Sequence, residues 1–276
     1  MFKLTDAEFQ QFCDLILEQS GISFEAKKRY FVEKRIEKCF KETSFMSVKD
    51  YFRALKYGGS KEELMQLLEA LTTNETYFYR HISQIESFAE EAVPLILEQK
   101  RKQNKFHLNI WSAASSSGAE IYTIGILLKE TIPDINKWKI NLLGTDIDRK
   151  ILKIAEAAIY DKRAVKDVPV AILKKYFTLL SDGRYQLNSS ITSMVKFAHV
   201  NLVDRTVMKQ YKEQDCIFCR NVLIYFSDEA KRQVVHSLYQ SLNKDGFIFL
   251  GHAESVGRIT SAFRLKKFKK SLSYQK

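Results

Sequence analysis

The sequence contains no apolar run approaching the roughly 20 residues that cross a bilayer, and its opening stretch, MFKLTDAEFQQFCD, has no apolar signal core. Both absences point to a cytoplasmic protein without direct membrane insertion. Cysteine is scarce. Cys13, Cys39, Cys216 and Cys219 show no disulfide framework, and the single C-x-x-C lies inside an apolar run with no second ligand pair. A four-cysteine zinc site is thereby excluded, the thiols read as ordinary buried ones, and no metal is expected. No internal repeat and no low-complexity linker is present. Missing too are the two glycine-rich patterns, G-x-G-x-x-G and the P-loop, that bring backbone close to phosphates.

What is present suffices for a sizeable core: 276 residues, 45% hydrophobic, more than the usual single domain and consistent with one large or two unequal domains. Lys and Arg number 44 against 33 Asp and Glu, a formal charge of +11 that favours an acidic partner. From about residue 4 to 72 the pattern is helical throughout, in TDAEFQQFCDLILEQS, EAKKRYFVEKRIEKCFKET, VKDYFRALKYG and KEELMQLLEALT. From about 106, short β-rich runs alternate with helical ones. FHLNIWSAA, WKINLLGTDID, MVKFAHVNL, DCIFCRNVLIYF and GFIFLGHAE read as strands, while AEIYTIGILLKET, RKILKIAEAAIY and DEAKRQVVHSLYQSLN read as helices. The terminal FRLKKFKKSLSYQK supplies one or two more strands. Such alternation implies βαβ units and a doubly wound α/β sheet. Residues 161–194 break it with a helix-like VPVAILKKYFTLL and a hairpin turn at Asp182-Gly183, a small insertion.

In a doubly wound sheet, ligands bind at the carboxyl ends of the strands. The loop after the first strand, SAASSSGAE, offers small residues, Ala113 among them, and one glycine, Gly118, before a helix. That loop suits a nucleotide without phosphates, such as S-adenosylmethionine, whose sulfonium also calls for a nearby carboxylate. The second strand ends GTDID; an acid there can accept from both ribose hydroxyls, and one of the pair can cap the next helix. Asp148, beside RKILK, suits the cap, leaving Asp146 for the ligand. Asn201 and Leu202 end the third strand, as an adenine contact or simply a polar turn. Arg220 and Asn221 interrupt the apolar IFCRNVLIYF and mark where that strand stops. With Glu120, these residues place polar groups on one rim.

The segments TTNETYFYR, WSAASSSGAEIYT, GTDID, VNL, IFCRNVLIYF and GHAE, in this order, resemble the chemotaxis receptor glutamate methyltransferases of the CheR type, and the likeness runs nearly end to end. It implies an all-α N-terminal domain over 1–73 that recognises substrate. It further implies an S-adenosylmethionine-dependent methyltransferase domain over 74–276, with a small antiparallel β-subdomain inserted at about 176–194. By the same resemblance Asn74, Thr76 and Arg80 cover the cofactor, and Glu120 and Asp146 hold its amino acid and ribose portions. Asn201, Leu202, Cys219 and Arg220 line its adenosyl side, and Arg80 and Tyr225 are associated with catalysis, although Tyr225 alone reads equally as a core aromatic. The product would be S-adenosylhomocysteine. Family members usually read G-E-E-P-Y-S where this chain has G-A-E-I-Y-T, so Ala119 and Ile121 depart from the pattern while Glu120 matches. The turn LLSDGRY is shorter and poorer in glycine than in members that grip a receptor tail, so tethering of that kind is not expected.

The stretch KKRYFVEKRIEKC puts Lys27, Lys34 and Lys38 on one helical line with Lys28 and Arg35 beside them, and Val32, Ile36 and Cys39 on another. Such a charged face is either solvated or a docking face. The acidic, glutamate-bearing receptor helices implied by the resemblance favour docking. A nucleic-acid methyltransferase shares the fold and the charge, but the N/D-P-P-Y/F motif of amino-methylating enzymes is replaced by RNVLIYF, and no nucleic acid is expected as partner. A binding module without turnover is the other alternative, suggested by Ala119 and Ile121. The protein is expected to be a monomer.

Overall fold

The computed structural model describes residues 3–59 and 61–276. Met1 and Phe2, part of the stretch read for a signal core, and Ser60 lie outside the described residues. The chain divides into two compact units, Met1–Thr73 with Tyr225–Gln233, and Asn74–Ile224 with Val234–Lys276.

The first unit is helical. Helix α1 (Asp6–Ser20) starts at a reciprocal cap in which Thr5 Oγ1 accepts the Glu8 N–H at 3.2 Å and the Glu8 carboxylate accepts the Thr5 N–H at 2.8 Å. It stops at Gly21, whose φ of 72° lies in the left-handed region that glycine enters without steric cost. Phe9, Phe12, Leu15 and Ile16 recur at helical spacing and are buried. After a 3-10 turn at Ala26–Lys28 comes α2 (Arg29–Lys41), which buries Val32, Ile36 and Cys39, the apolar line read from sequence. Ser47 caps α3 (Val48–Lys56), and α4 (Lys61–Leu71) follows. Tyr51 of α3 is fully enclosed, its ring centroid 6.2 Å from that of Phe12 and 5.8 Å from those of Phe40 and Phe45. The returning segment pairs within this unit: Ile22 bridges Phe226, and the Ser23 N–H donates to the Tyr225 carbonyl at 2.9 Å.

In the second unit, α5 (Ile82–Ser87), a π-helical turn at Phe88–Ala92 and α6 (Val93–Lys102) occupy a stretch to which the sequence reading assigned no element. Alternation then begins: β1 (His107–Ala113), α7 (Ala119–Thr131), β2 (Lys139–Asp146), α8 (Arg149–Ala157), β3 (Ile159–Tyr160) and α9 (Val170–Tyr176). The hairpin β4 (Phe177–Leu179) and β5 (Tyr185–Leu187) follows, then α10 (Ser189–Thr192), β6 (Val195–His199), α11 (Arg205–Met208) and β7 (Gln214–Cys219). Last come α12 (Asp228–Ser241), β8 (Leu242–Leu250), β9 (Arg264–Lys267) and β10 (Leu272–Gln275).

The main sheet runs β6-β2-β1-β7-β8-β10-β9, with parallel pairing from β6 to β8 and antiparallel pairing at β10 and β9. The winding reverses between β1 and β7, and in such sheets the crevice beyond those strand ends is the ligand position. The central strands are continuous apolar runs because both faces are covered. Phe218 of β7 and Phe249 of β8 stack at 4.9 Å, and burying each ring contributes roughly 1.5–3 kcal/mol.

Two readings need correction. The inserted sheet has the order β3-β5-β4, so its third strand comes from Ile159–Tyr160, which the sequence reading had as the end of a helix. The helix ends earlier because Ala158 turns left-handed, with φ 51°. The run IFCRNVLIYF is also not one strand. β7 ends at Cys219, Asn221 is left-handed with φ 59°, and Leu223–Tyr225 form a 3-10 turn.

Candidate active site

The loop after β1 is wound tightly, with Ala114, Ser116 and Gly118 all left-handed at φ 64°, 51° and 82°. A Cβ at Gly118 would lie 2.9 Å from Phe197 and 3.1 Å from Tyr122, so this glycine serves close packing of α7 on the sheet. The sequence reading had assigned the small residues of this loop to ligand approach; at Gly118 the demand is internal. Ser115 is buried, and its Oγ has no hydrogen-bond partner among the described residues.

Asp146, the last residue of β2, is 6% exposed. Its Oδ2 accepts the Ser116 N–H at 2.8 Å and its Oδ1 the Asp148 N–H at 3.0 Å. Burial pushes its carboxyl up to about 6, and the two N–H donors only partly oppose that. Asp148 is the cap expected from the sequence: its Oδ1 accepts the N–H groups of Lys150 and Ile151, while Oδ2 accepts from the Asn74 amide at 2.6 Å. The Asn74 carbonyl in turn accepts from Ser116 Oγ at 3.0 Å. Asn74, Ser116, Asp146 and Asp148 are therefore one connected cluster.

A second cluster surrounds Arg220, one residue beyond β7 and 7% exposed. Its Nη1 donates to Glu120 Oε2 at 3.0 Å and its Nη2 to the Arg80 carbonyl at 2.9 Å; its buried Nε has no partner among the described residues. The other Glu120 oxygen accepts from Ser112 Oγ at 2.8 Å. Arg80 sits between two left-handed residues, Tyr79 at φ 63° and His81 at φ 49°. Non-glycine residues held there cost of order 1–3 kcal/mol each and persist where surrounding structure fixes them. The Tyr79 N–H is fixed by Thr123 Oγ1 at 3.2 Å, and the Phe78 ring is packed edge-on to Tyr160 and Phe177. The Arg80 guanidinium donates to the Glu75 carbonyl at 2.6 Å and lies 5.7 Å from the Tyr77 ring centroid.

The remaining sequence-derived residues fall as follows. Thr76 is half-buried in the same segment as Asn74, and Ala113 is enclosed at the end of β1. Asn201 Oδ1 accepts the Val203 N–H at 3.2 Å, the polar-turn role, and Leu202 beside it is buried. Cys219, the last residue of β7, has no exposed surface, and burial holds its thiol well above the ordinary range. Tyr225 is not part of either cluster; it belongs to the helical unit, where Lys28 Nζ lies 5.7 Å from its ring centroid. Lys27 and Lys28 precede α2 in the 3-10 turn, which corrects the single helical line drawn through Lys27, Lys34 and Lys38. All five cations, Lys27, Lys28, Lys34, Arg35 and Lys38, are exposed; Lys27 pairs with Glu25 at 2.8 Å, and Lys34 and Arg35 lie over Tyr30 and Phe31.

Residues 74–272 match the family model described as the CheR methyltransferase SAM-binding domain, and residues 7–72 match its all-alpha domain. The chain belongs to the CheR methyltransferase family. Among its relatives, Chemotaxis protein methyltransferase 2 of Vibrio cholerae is 42% identical over 273 residues, 99% of this chain and 94% of that protein. Chemotaxis protein methyltransferase of Vibrio parahaemolyticus is 30% identical, covering 99% and 98% of the two chains. The Borreliella burgdorferi protein of the same name is 29% identical, covering 92% and 89%. The cofactor of this CheR methyltransferase is S-adenosylmethionine, and the residues present fit it. A buried carboxylate with a raised pKa gains from hydroxyl donors, and the orphaned Ser115 Oγ and Arg220 Nε are polar atoms with unused capacity. No described helix is long and apolar enough to cross a membrane.

Sequence reasoning missed Ser112, Ser116 and Glu254. Ser112 and Ser116 stood in a loop read only for smallness, whereas their hydroxyl and amide groups hold Glu120 and Asp146. Glu254 stood in the quoted GHAE without an assigned role. Its partners are backbone N–H groups, Gly251 three residues before it and Asn221 and Ile224 some thirty positions away, which leave no residue pattern to read.

Proposed function

We propose that this CheR methyltransferase esterifies glutamate side chains on the acidic cytoplasmic helices of a chemoreceptor. The observation that carries the reading is the Arg220 cluster, which ties Glu120 of α7 to the Arg80 carbonyl through one buried guanidinium. When bound, S-adenosylmethionine supplies an activated methyl group. Asp146, Glu120, Asn74, Thr76, Arg80 and Ala113, with Asn201, Leu202, Cys219, Arg220 and Asn221, are the residues assigned to holding it. A glutamate of ordinary pKa near 4.3 is already ionised at about pH 7, so no general base is required. What remains for the protein is orientation, and aligning two reactants is worth roughly 7–11 kcal/mol of barrier.

Arg80 is assigned to orienting the incoming carboxylate through charge-assisted hydrogen bonds. Its left-handed flanks and the Arg220 bond to its carbonyl support a fixed backbone under a half-exposed guanidinium. Tyr225 is assigned to substrate positioning, and the exposed Lys28, Lys34, Arg35 and Lys38, with Lys27, to docking an acidic helix. The protein acts as a monomer in the cytoplasm and takes no nucleic acid.

The test is transfer of labelled methyl from S-adenosylmethionine to a receptor cytoplasmic fragment, with bulk RNA as control and alkali treatment of the product. Alkali-labile label on protein, released as methanol, supports the carboxyl ester. Label on RNA alone, or alkali-stable label on protein, overturns it.

A further inference from the structure

We infer that Glu254 is a positioning residue whose carboxylate fixes the loop after β7, and with it Arg220 and Asn221, for cofactor binding. The inference rests on the methyltransferase reading above. Strands β7 and β8 are paired up to Cys219 and Leu250, their last residues. Beyond that point the two chains diverge and their N–H groups would lose ladder partners. Glu254 replaces those partners with one side chain. Its Oε2 accepts the Asn221 N–H at 2.8 Å and the Gly251 N–H at 2.7 Å, and its Oε1 accepts the Ile224 N–H at 3.3 Å.

The chemistry of the acceptor matters. Three donors converge on this group, and an ionised carboxylate is acceptor only, with capacity for all three. An amide in the same place keeps one oxygen and turns an NH2 toward a remaining N–H. Gly251 keeps the space clear: a Cβ there would lie 2.7 Å from Glu254 Oε2 and 2.9 Å from the Asn221 nitrogen. Its neighbour His252 packs its ring edge-on to His81 at 4.5 Å, and the Leu250 carbonyl accepts from the Gln84 amide at 2.8 Å. The segment 250–254 therefore touches both the loop bearing Arg220 and the stretch that follows Arg80. Asn221 sits in the left-handed region, which asparagine enters more readily than other side-chain-bearing residues, and the Glu254 carboxylate accepts its N–H there.

The experiment compares wild type with Glu254→Gln, Glu254→Ala and Gly251→Ala. It measures the Kd of S-adenosylhomocysteine by calorimetry, the melting temperature, and kcat and KM for methyl transfer. Glu254→Ala is expected to weaken S-adenosylhomocysteine at least tenfold, Glu254→Gln by an intermediate factor, and Gly251→Ala to approach Glu254→Ala although its carboxylate is intact. In a cycle with Arg220→Met the losses are expected to be less than additive, because one change removes the guanidinium that the other leaves out of place. A Kd within twofold of wild type in folded Glu254→Gln and Gly251→Ala overturns the inference, as do additive losses; either result leaves Glu254 a fold clasp only. Those two milder variants decide the matter should Glu254→Ala not fold. A wild-type protein that binds S-adenosylhomocysteine but labels no receptor fragment refutes the proposed function and leaves the Kd comparison to judge Glu254 separately.

Discussion

The assignment of Asp146 to the ribose hydroxyls predicts a cofactor affinity that depends on pH. In the free protein its carboxyl is raised to about 6 by burial, against an ordinary value near 3.8. The folded protein therefore holds a proton on this group between about pH 4 and pH 6 that the unfolded chain has already released. Stability from this residue falls as pH rises through that window, by about 3 kcal/mol for two pKa units. Ligand binding is expected to run the opposite way, because ribose hydroxyls held by Asp146 would donate to the ionised form. At pH 5, one unit below the raised value, about one molecule in eleven carries the carboxylate, so S-adenosylhomocysteine should bind about tenfold more weakly than at pH 8, or ~1.4 kcal/mol. Calorimetric titration across pH 5–8 reads this directly, with Asp146→Asn as the control that removes the proton and keeps the shape. A wild-type Kd that stays flat from pH 8 to pH 5, or an equal slope in Asp146→Asn, would refute the assignment.

Other expectations follow from the same geometry. Arg220→Met leaves Glu120 with Ser112 Oγ as its remaining side-chain partner among the described residues and should cost about 3–5 kcal/mol in urea unfolding. Adding Glu120→Gln should recover most of that loss, since no unpaired carboxylate remains. Lys100→Met should be comparably severe by the same assay, because Lys100 pairs at 2.6 Å with the buried Asp215, which also accepts the Asn109 N–H. Asp148→Ala removes the α8 cap and should cost about 0.5–2 kcal/mol by thermal melting. Lys34→Glu with Arg35→Glu and Lys38→Glu should raise KM for a receptor fragment, leave S-adenosylhomocysteine affinity unchanged, and matter less at high salt.

Much of this was legible because local chemistry and position coincide. Asp148 beside RKILK announced a cap, and Asp182-Gly183 announced a turn; Gly183 is left-handed at φ 82°. Val32, Ile36 and Cys39 announced their buried line by spacing alone. The failures share a cause. Ile159–Tyr160 continue a helical pattern, and only the partner strand at Tyr185–Leu187 makes them extended. IFCRNVLIYF is apolar for two reasons: its first half is sheet core, and its second half ends in Phe226, which bridges Ile22 some two hundred positions earlier. The clusters around Asp146 and Arg220 were legible as residue types at strand ends, whereas their wiring runs through the Ser112 hydroxyl, in a stretch read only for small size, and through the Ser116 N–H and the Arg80 carbonyl, backbone groups that every sequence possesses.

The membership of Tyr225–Gln233 in the helical unit bears on how this gene can be cut and recombined. A fragment ending at Thr73 would carry the four long helices yet omit the strand partner of Ile22 and the carbonyl that holds the Ser23 amide. Grafting the N-terminal helices of another family member onto this chain therefore exchanges only part of a cooperative body. A working chimera has to exchange residues 225–233 along with them, so that the two gene pieces are inherited as one unit despite the 151 codons from 74 to 224 that separate them.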